Sequence, residues 1–473
     1  MSCRPFLCCL RLAVWRCHLW ALAGLIVSPV AASAKPVAPL AFCDVYTDAP
    51  ACAVGVVDCA MCHLQPPERN AFGQMIEAQI LPGAPRPLAD ADFLTALPIA
   101  LQAVETLDAD GDGANNRIEI EAGTQPGNAT SRPQTSDCDG ENVSWNVCGY
   151  DARYVFKKVY LDFCGVSPTY NDMQAFDRAP DAQQLIRQTL DACLDSDFWI
   201  GQDGQLWQLA HRKIRPIQAI KAGANSGPIP LADYDDDYAL FVYTHIDDHD
   251  VRDVLTADYF VTRAANPTRY RIASSAGAVD QNVVANRRAG MLTTKWNLVL
   301  NVMFTALPRT AAAMAYRGYL GLDIARLQGL LPVAGEPVDY DDTGVTAPTC
   351  AVCHSTLDPL SYPFKNYHGL TGRNGTYDST RIQRYFSNES ARITEMPEAG
   401  VIFGQPVANL TAWARVAADS DAFAVATVAD LWKLLMGGAP SSEQQLEFQR
   451  LWQNLKTVHG YRVERMLHEL VQT

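Results

Sequence analysis

Two five-residue patterns constrain this chain more than anything else in it: Cys59-Ala-Met-Cys62-His63 and Cys350-Ala-Val-Cys353-His354. Two thiols two residues apart, with an imidazole directly after the second, suit a porphyrin: the sulfurs form thioethers with its vinyl groups and the histidine lies under the iron. With this chain's cysteine and histidine content, one such pattern arises by chance roughly once in a hundred chains of this length, and two roughly once in tens of thousands. Zinc would call for a matched second pair of ligands nearby, and a thioredoxin-like dithiol for a surrounding βαβ pattern; neither is visible. Two covalently bound haem c groups are therefore expected, attached at Cys59 and Cys62 and at Cys350 and Cys353. His63 and His354 are the expected proximal ligands.

The sixth ligand of each iron separates an electron carrier from a catalyst, because a Met or His there closes the site and an open position admits oxygen or peroxide. Met396, in Glu395-Met396-Pro397, follows His354 at a distance that resembles small class I cytochromes c, and it is the first candidate for the second haem. His368 is its rival, with a loop histidine as the plain alternative. Met75, on a predicted helix from Asn70 to Ile80, is the candidate for the first haem; the alternative is a core methionine on a helix face.

Residues 1–34 carry Arg4, Arg11 and Arg16 without an acidic residue, then the apolar run Leu19 to Val27 and the small residues Ala32-Ser33-Ala34. That order is expected of a cleaved secretory signal, the run being short for a membrane span and followed by Pro29. Membrane contact is then expected only through the signal, and the periplasm or outer surface of a Gram-negative bacterium as the destination. Losing three arginines moves the formal charge from -14 to -17. An acidic chain excludes nucleic acid as a natural partner and suits an exported cationic redox partner or a calcium ion. Outside the signal and the two motifs stand six cysteines, for which the short-range pairs Cys43–Cys52, Cys138–Cys148 and Cys164–Cys193 are reasonable disulfides, with free buried thiols as the alternative.

Asp108 to Glu119 read Asp-Ala-Asp-Gly-Asp-Gly-Ala-Asn-Asn-Arg-Ile-Glu. Every diagnostic position of a twelve-residue calcium loop is filled. Asp108, Asp110, Asp112, the Ala114 carbonyl, Asn116 directly or through water, and Glu119 supply hard oxygen ligands for Ca2+, and Gly113 makes the turn. Gly123 and Pro126 leave little room for an exiting helix. The loop therefore resembles those of dockerin and thrombospondin type 3 repeats, with a structural role.

Apolar residues recur mostly at helical spacing, as in Phe156, Val159, Tyr160 and Phe163 and in Leu292, Trp296, Leu298 and Val302, while strand alternation is scarce. The expected fold is mainly α, with helical cytochrome c-like haem domains flanking a central helical domain. Its divisions are the signal 1–34, an N-terminal haem domain with the calcium loop at 35–130, a linker at 131–150, the central domain at 151–331 and the C-terminal haem domain at 332–473. Amphipathic segments from Val425 to Met436 and from Glu443 to Leu470 close the chain. The acids Asp233 to Asp237 with His245, Asp247, Asp248 and His249 suggest a metal site less readily than helix caps and solvated faces. His211 is expected to be structural or a propionate partner.

Tyr160 to Thr169, Leu255 to Tyr259, Arg288 to Thr293 and above all Cys350 to Tyr367 carry a likeness. Cys-x-x-Cys-His followed by Leu357-Asp358-Pro359-Leu360 and an aromatic-rich tail resembles the haem module of the Planctomycete cytochrome C-like families, large exported proteins of environmental Gram-negative bacteria. The likeness covers about two thirds of the chain as scattered motifs. Ser361, Lys365 and His368 stand where that pattern usually has glycine, glutamate and aspartate. The resemblance implies the haem more than any activity. Electron transfer is the leading expectation. The alternatives are a peroxidase-like or oxygenase-like haem enzyme with one open site, and a haem-containing binding component of a surface polymer-degrading assembly in which Trp145, Trp199 and Trp207 touch carbohydrate.

Overall fold

Helix signals in this chain are local and strong. Asn70 accepts from the Gly73 amide, Asn115 from Ile118, Ser420 from Phe423 and Asn409 from Ala412, so side-chain caps start helices at all four points. The computed structural model describes residues 35, 37–133, 151–214, 234–275, 283–371, 374–441 and 444–472. The signal at 1–34, Trp145, the Cys138 and Cys148 pair and Asp233 lie outside them. The protein is mainly helical. Its described strands form four two-stranded antiparallel pairs. Among the described residues no helix is long and apolar enough to cross a membrane.

The first Cys-x-x-Cys-His motif and the acidic loop Asp108 to Glu119 share a small helical module of α1 (Ala38–Val45), α2 (Ala71–Gln79), α3 (Asp90–Val104) and α4 (Asn116–Ala122). Phe42, Phe72, Ile76, Leu101, Val104 and Ile120 form its own core. Complete burial of a side chain such as Phe72 or Leu101 contributes about 1.5–3 kcal/mol. A Cys43–Cys52 disulfide ties α1 to the turn after it.

A second, larger core holds most of the remainder, beside a small separate cluster around Met396. It draws on α5 (Ala152–Val159), α6 (Ala182–Leu194), α7 (Gln205–Ile214), α8 (Tyr234–Thr244) and α9 (Arg309–Leu320), and equally on α10 (Pro348–Ser361), α11 (Leu410–Ala418), α12 (Asp421–Met436), α13 (Gln445–Thr457) and α14 (Val463–Leu470). Phe156, Trp199 and Tyr316 pack in one cluster with Trp413, Phe423 and Leu451, so the stretches on either side of residue 331 share their core. The Cys164–Cys193 disulfide joins the end of α6 to the π-helical turn Tyr160–Cys164 that continues α5. Trp199 and Trp207 are buried in this core, which leaves neither indole free to lie against a sugar.

Local chemistry moves several predicted boundaries. The segment expected from Val425 starts four residues earlier, at Asp421, because Ser420 caps it there. The stretch expected to run to Leu470 breaks between α13 and α14, where Gly460 and Tyr461 take positive φ of 57° and 62°. Around Leu292 to Val302 the helical spacing is realised as a 3-10 turn, a short α segment and a π turn rather than one α-helix.

Candidate haem and calcium sites

The first motif is a 3-10 turn, Cys59–Met61, whose start is capped by Asp58 through a 2.8 Å bond from the Ala60 amide. Asn70 then clamps it. Its Nδ2 donates to the Ala60 and Met61 carbonyls at 3.0 Å each, its backbone amide donates to the Cys62 carbonyl at 3.1 Å, and its Oδ1 caps α2. α2 presses so closely on the turn that a Cβ at Gly73 would lie 2.0 Å from the Cys62 oxygen. His63 opens a short strand, β1 (His63–Gln65), paired with β2 (Glu68–Arg69), and its Nδ1 lies 3.3 Å from the Glu68 carbonyl. That contact sets the Nδ1–H tautomer and leaves Nε2 free to bind iron.

The second motif lies on α10, which opens at Pro348. Spacings of three and four residues put Cys350, Cys353 and His354 on one helix face. One turn on, Asp358 accepts from His354 Nδ1 at 2.8 Å. Its carboxylate is fully buried, and Arg309 of α9 grips it bidentately at 2.7 and 2.9 Å while also holding Asp341 at 2.5 and 3.1 Å. Burial opposes the Arg309 charge, but the two aspartates outweigh it and hold its pKa above the ordinary value. Next along, the Tyr362 hydroxyl donates to Glu336 at 2.7 Å.

One turn of chain links the motifs. The 3-10 turn Ile324–Arg326 is capped by Asp323 and ends at Leu327, a leucine held at φ 61°. The Ile324 carbonyl lies 3.9 Å from Cys353 Sγ and the Leu327 carbonyl 3.8 Å from Cys59 Sγ, while Gln328 donates to Asp58. Leu327 N also donates to the Ile324 carbonyl at 2.9 Å. Standard backbone dimensions then limit the separation of the two sulfurs to about 15 Å. Beside this bridge a cleft of about 460 Å³ opens, lined by Val54, Val56, Tyr316, Gly329, Leu331 and Phe403.

These residues fit covalently attached haem. Cys59, Cys62, Cys350 and Cys353 are the free cysteines among the described residues, and neither pair is joined as a disulfide. Burial pushes the Cys62 thiol up to about 12, and burial followed by Asp58 raises Cys59. Thioredoxin-like dithiols have the reverse property, a lowered pKa that generates the thiolate.

The candidate sixth ligands lie in different surroundings. Met396 is buried in an apolar cluster with Leu307, Tyr362, Ile382, Phe386 and Ile393. His368 sits on the strand Tyr367–Thr371 with its ring centroid 4.9 Å from that of Tyr385. Met75 on α2 packs against the module core, and its sulfur lies 3.7 Å from Asn116 Nδ2 of the calcium loop.

In that loop, ligand oxygens of Asp108, Asp110 and Asp112 lie within 4.8 Å of one another. Asp108 is oriented by the amides of Gly111 and Gly113 at 2.7 and 2.9 Å, Asp110 by Asp112 at 3.2 Å and Asp112 by Ala114 at 2.8 Å. Asp110 Oδ2, Asp112 Oδ2 and Glu119 Oε2 are buried without a hydrogen-bond partner. Such oxygens are costly unless a cation gathers them, and the donor set is the one Ca2+ takes. Asn116 turns inward instead, donating to the Val104 carbonyl at 2.7 Å and accepting from Ala109 at 3.2 Å. Its amide braces the loop from behind.

Burial, then Asp110 and Asp112, raise the Glu119 pKa to about 8. Below that pH the site holds a proton that a calcium ion must displace. Calcium affinity is therefore expected to rise by up to about tenfold per pH unit towards pH 8 and to flatten above it. Isothermal titration in buffers of different ionisation enthalpy measures the released proton directly; a pH-independent affinity between 6 and 8 contradicts the assignment.

Sequence reasoning missed Asn70, Gly73, Arg309 and the Asp323–Gln328 bridge. Asn70 carries a local signal, a capping residue directly before an apolar helix; the others are recognisable only once distant segments meet. His245, Asp247, Asp248 and His249 form no metal-ligand group among the described residues, and the side chains of Asp235 to Asp237 lie outside them. His245 Nδ1 donates to the Phe241 carbonyl of α8 at 2.7 Å, and burial lowers its pKa to about 3, while Asp248 pairs with Arg465. His211 lies 2.6 Å from the Tyr238 hydroxyl, a structural contact. Comparison with protein-family models, curated proteins and solved structures finds no match to this chain.

Proposed function

We propose that this protein is an exported dihaem c-type cytochrome-like protein, related to the Planctomycete cytochrome C-like families, that passes electrons to or from an exported redox partner. The observation that carries the proposal is the bridge: a single short turn touches Cys59 and Cys353, keeping both attachment positions within one compact unit. Haem c supplies one-electron chemistry when bound. The chain's own contribution is to hold each proximal imidazole by its Nδ1 and to fix the spacing of the two sites. Met75 is proposed as the sixth ligand at the first site, and Met396 or His368 at the second. Ca2+ braces the N-terminal module through Asp108, Asp110, Asp112 and Glu119, and the residues 1–34 direct export to the periplasm or outer surface.

A second reading, a peroxidase-like or oxygenase-like haem enzyme with one open site, is favoured by the cleft beside the bridge and by the carboxylate behind His354. Mass spectrometry of the natively matured protein is expected to show two attached haems, one lost with Cys59→Ala/Cys62→Ala and the other with Cys350→Ala/Cys353→Ala. A matured protein without either overturns the proposal. Visible spectra before and after carbon monoxide separate the two readings. Two low-spin irons that ignore the added ligand favour electron carriage, and a high-spin component that binds it favours catalysis.

A further inference from the structure

The two proximal histidines are held by groups of different charge. His63 meets a neutral backbone carbonyl at 3.3 Å, whereas His354 meets a fully buried carboxylate at 2.8 Å. A hydrogen bond to an ionised acceptor is about twice as strong as a neutral one, and it gives the imidazole more anionic character and makes it a stronger electron donor to iron.

The wider surroundings add to the difference. Behind His354, Arg309 is shared between Asp358 and Asp341, so one guanidinium faces two carboxylates and the group keeps a net negative charge. Glu336 lies beyond it, hydrogen-bonded to Tyr362, a phenol whose pKa burial raises most, with Glu336 and Asp358 adding to the effect. Asp358 itself is fully buried and its partners are mostly covered, so this charge is screened less than one on the surface. Near His63 the acids Asp58 and Glu68 are exposed, and Arg69 lies opposite it in the β1–β2 pair, held by Glu77 at 3.0 Å. Charges there are screened by solvent and salt.

Resting on the dihaem reading above, we infer that Asp358 is a positioning residue that gives the C-terminal site the lower reduction potential of the two, so that an electron shared between them rests on the N-terminal site. Negative charge behind a proximal imidazole favours the ferric over the ferrous state. The transfer is internal and balanced: one iron is oxidised as the other is reduced.

Spectroelectrochemical titration of the matured holoprotein is the test. Two waves are expected, and the lower is expected to vanish in Cys350→Ala/Cys353→Ala. Asp358→Asn keeps the shape of the side chain and removes its charge. It is expected to move the lower wave towards reduction by about tenfold in equilibrium constant, about 59 mV for a one-electron couple, with the upper wave unmoved. Loss of the upper wave with the C-terminal cysteines, or an Asp358→Asn protein whose lower wave stays in place, overturns the inference. The order of the waves is read on the protein with Asp358 intact, so it decides the matter even where the neutral variant does not fold. A product without haem overturns the dihaem reading and this inference together, whereas two haems with the reverse order overturn only the latter.

Discussion

A Gly73→Ala protein is expected to lose about 3 kcal/mol from the N-terminal module, the largest effect of any one-carbon addition there. The new Cβ would lie 2.0 Å from the Cys62 oxygen and 2.9 Å from its carbonyl carbon, both backbone atoms that cannot rotate away. α2 would have to retreat, and with it the Asn70 clamp on Ala60, Met61 and Cys62. Overpacking of this kind typically costs 1–3 kcal/mol, and more where backbone must move. Gly438→Ala is the control, since nothing lies within 4 Å of a Cβ there, and a shift within about 0.5 kcal/mol is expected. Denaturant unfolding followed in the haem band of the first site compares the two. Equal midpoints for both variants would show that α2 does not bear on the motif.

The second large effect is expected from Glu119→Gln. Glu119 is fully buried at the twelfth loop position, one oxygen held by Thr124 and the other without a partner. The amide keeps the shape but gives up a charged bidentate ligand, and calcium affinity is expected to fall by about two orders of magnitude. At a calcium concentration 100 times the dissociation constant, binding stabilises the folded state by about 2.7 kcal/mol, and most of this should disappear. Thermal melts with calcium and with chelator should therefore differ widely for the unaltered protein and hardly at all for Glu119→Gln. The variant should also lose the rise in affinity towards pH 8, because the titrating group is gone. In the absence of calcium it should melt no lower than the unaltered protein, since the buried carboxylate is then a cost rather than a gain.

The two effects converge on one route. Asn116 in the calcium loop contacts Met75 on α2, and α2 carries Asn70 and Gly73 against the first motif. Calcium bound as proposed would stiffen the element that packs against the first motif. On the other side, the second motif is oriented by side chains. Its histidine is fixed by Asp358, and that carboxylate by Arg309 from the neighbouring helix.

What was legible in the sequence has a short physical range. The motif spacings, the twelve-residue loop, the α2 helix begun by Asn70 and the mainly helical character depend on residues within a few turns of one another. The Cys43–Cys52 and Cys164–Cys193 bonds join two of the three short-range pairs that the spacing suggested. The apolar period did not mark where helices end: the amphipathic segment to Leu470 divides at Gly460, because a left-handed residue ends a helix whatever the period around it.

The sequence by itself determined which side chains stand at the proposed haem and calcium sites and the helix or turn that presents each of them, since spacing along a helix or loop sets those directions without help from distant chain. Tertiary structure alone decided how they are tuned. Arg309 reaches Asp358 across 49 positions and Leu327 reaches Cys59 across 268, and no local pattern encodes such meetings. They arise because burying the apolar clusters leaves few ways to place the connecting turns, and a buried carboxylate or a bridging carbonyl is stable only where that packing brings it a partner.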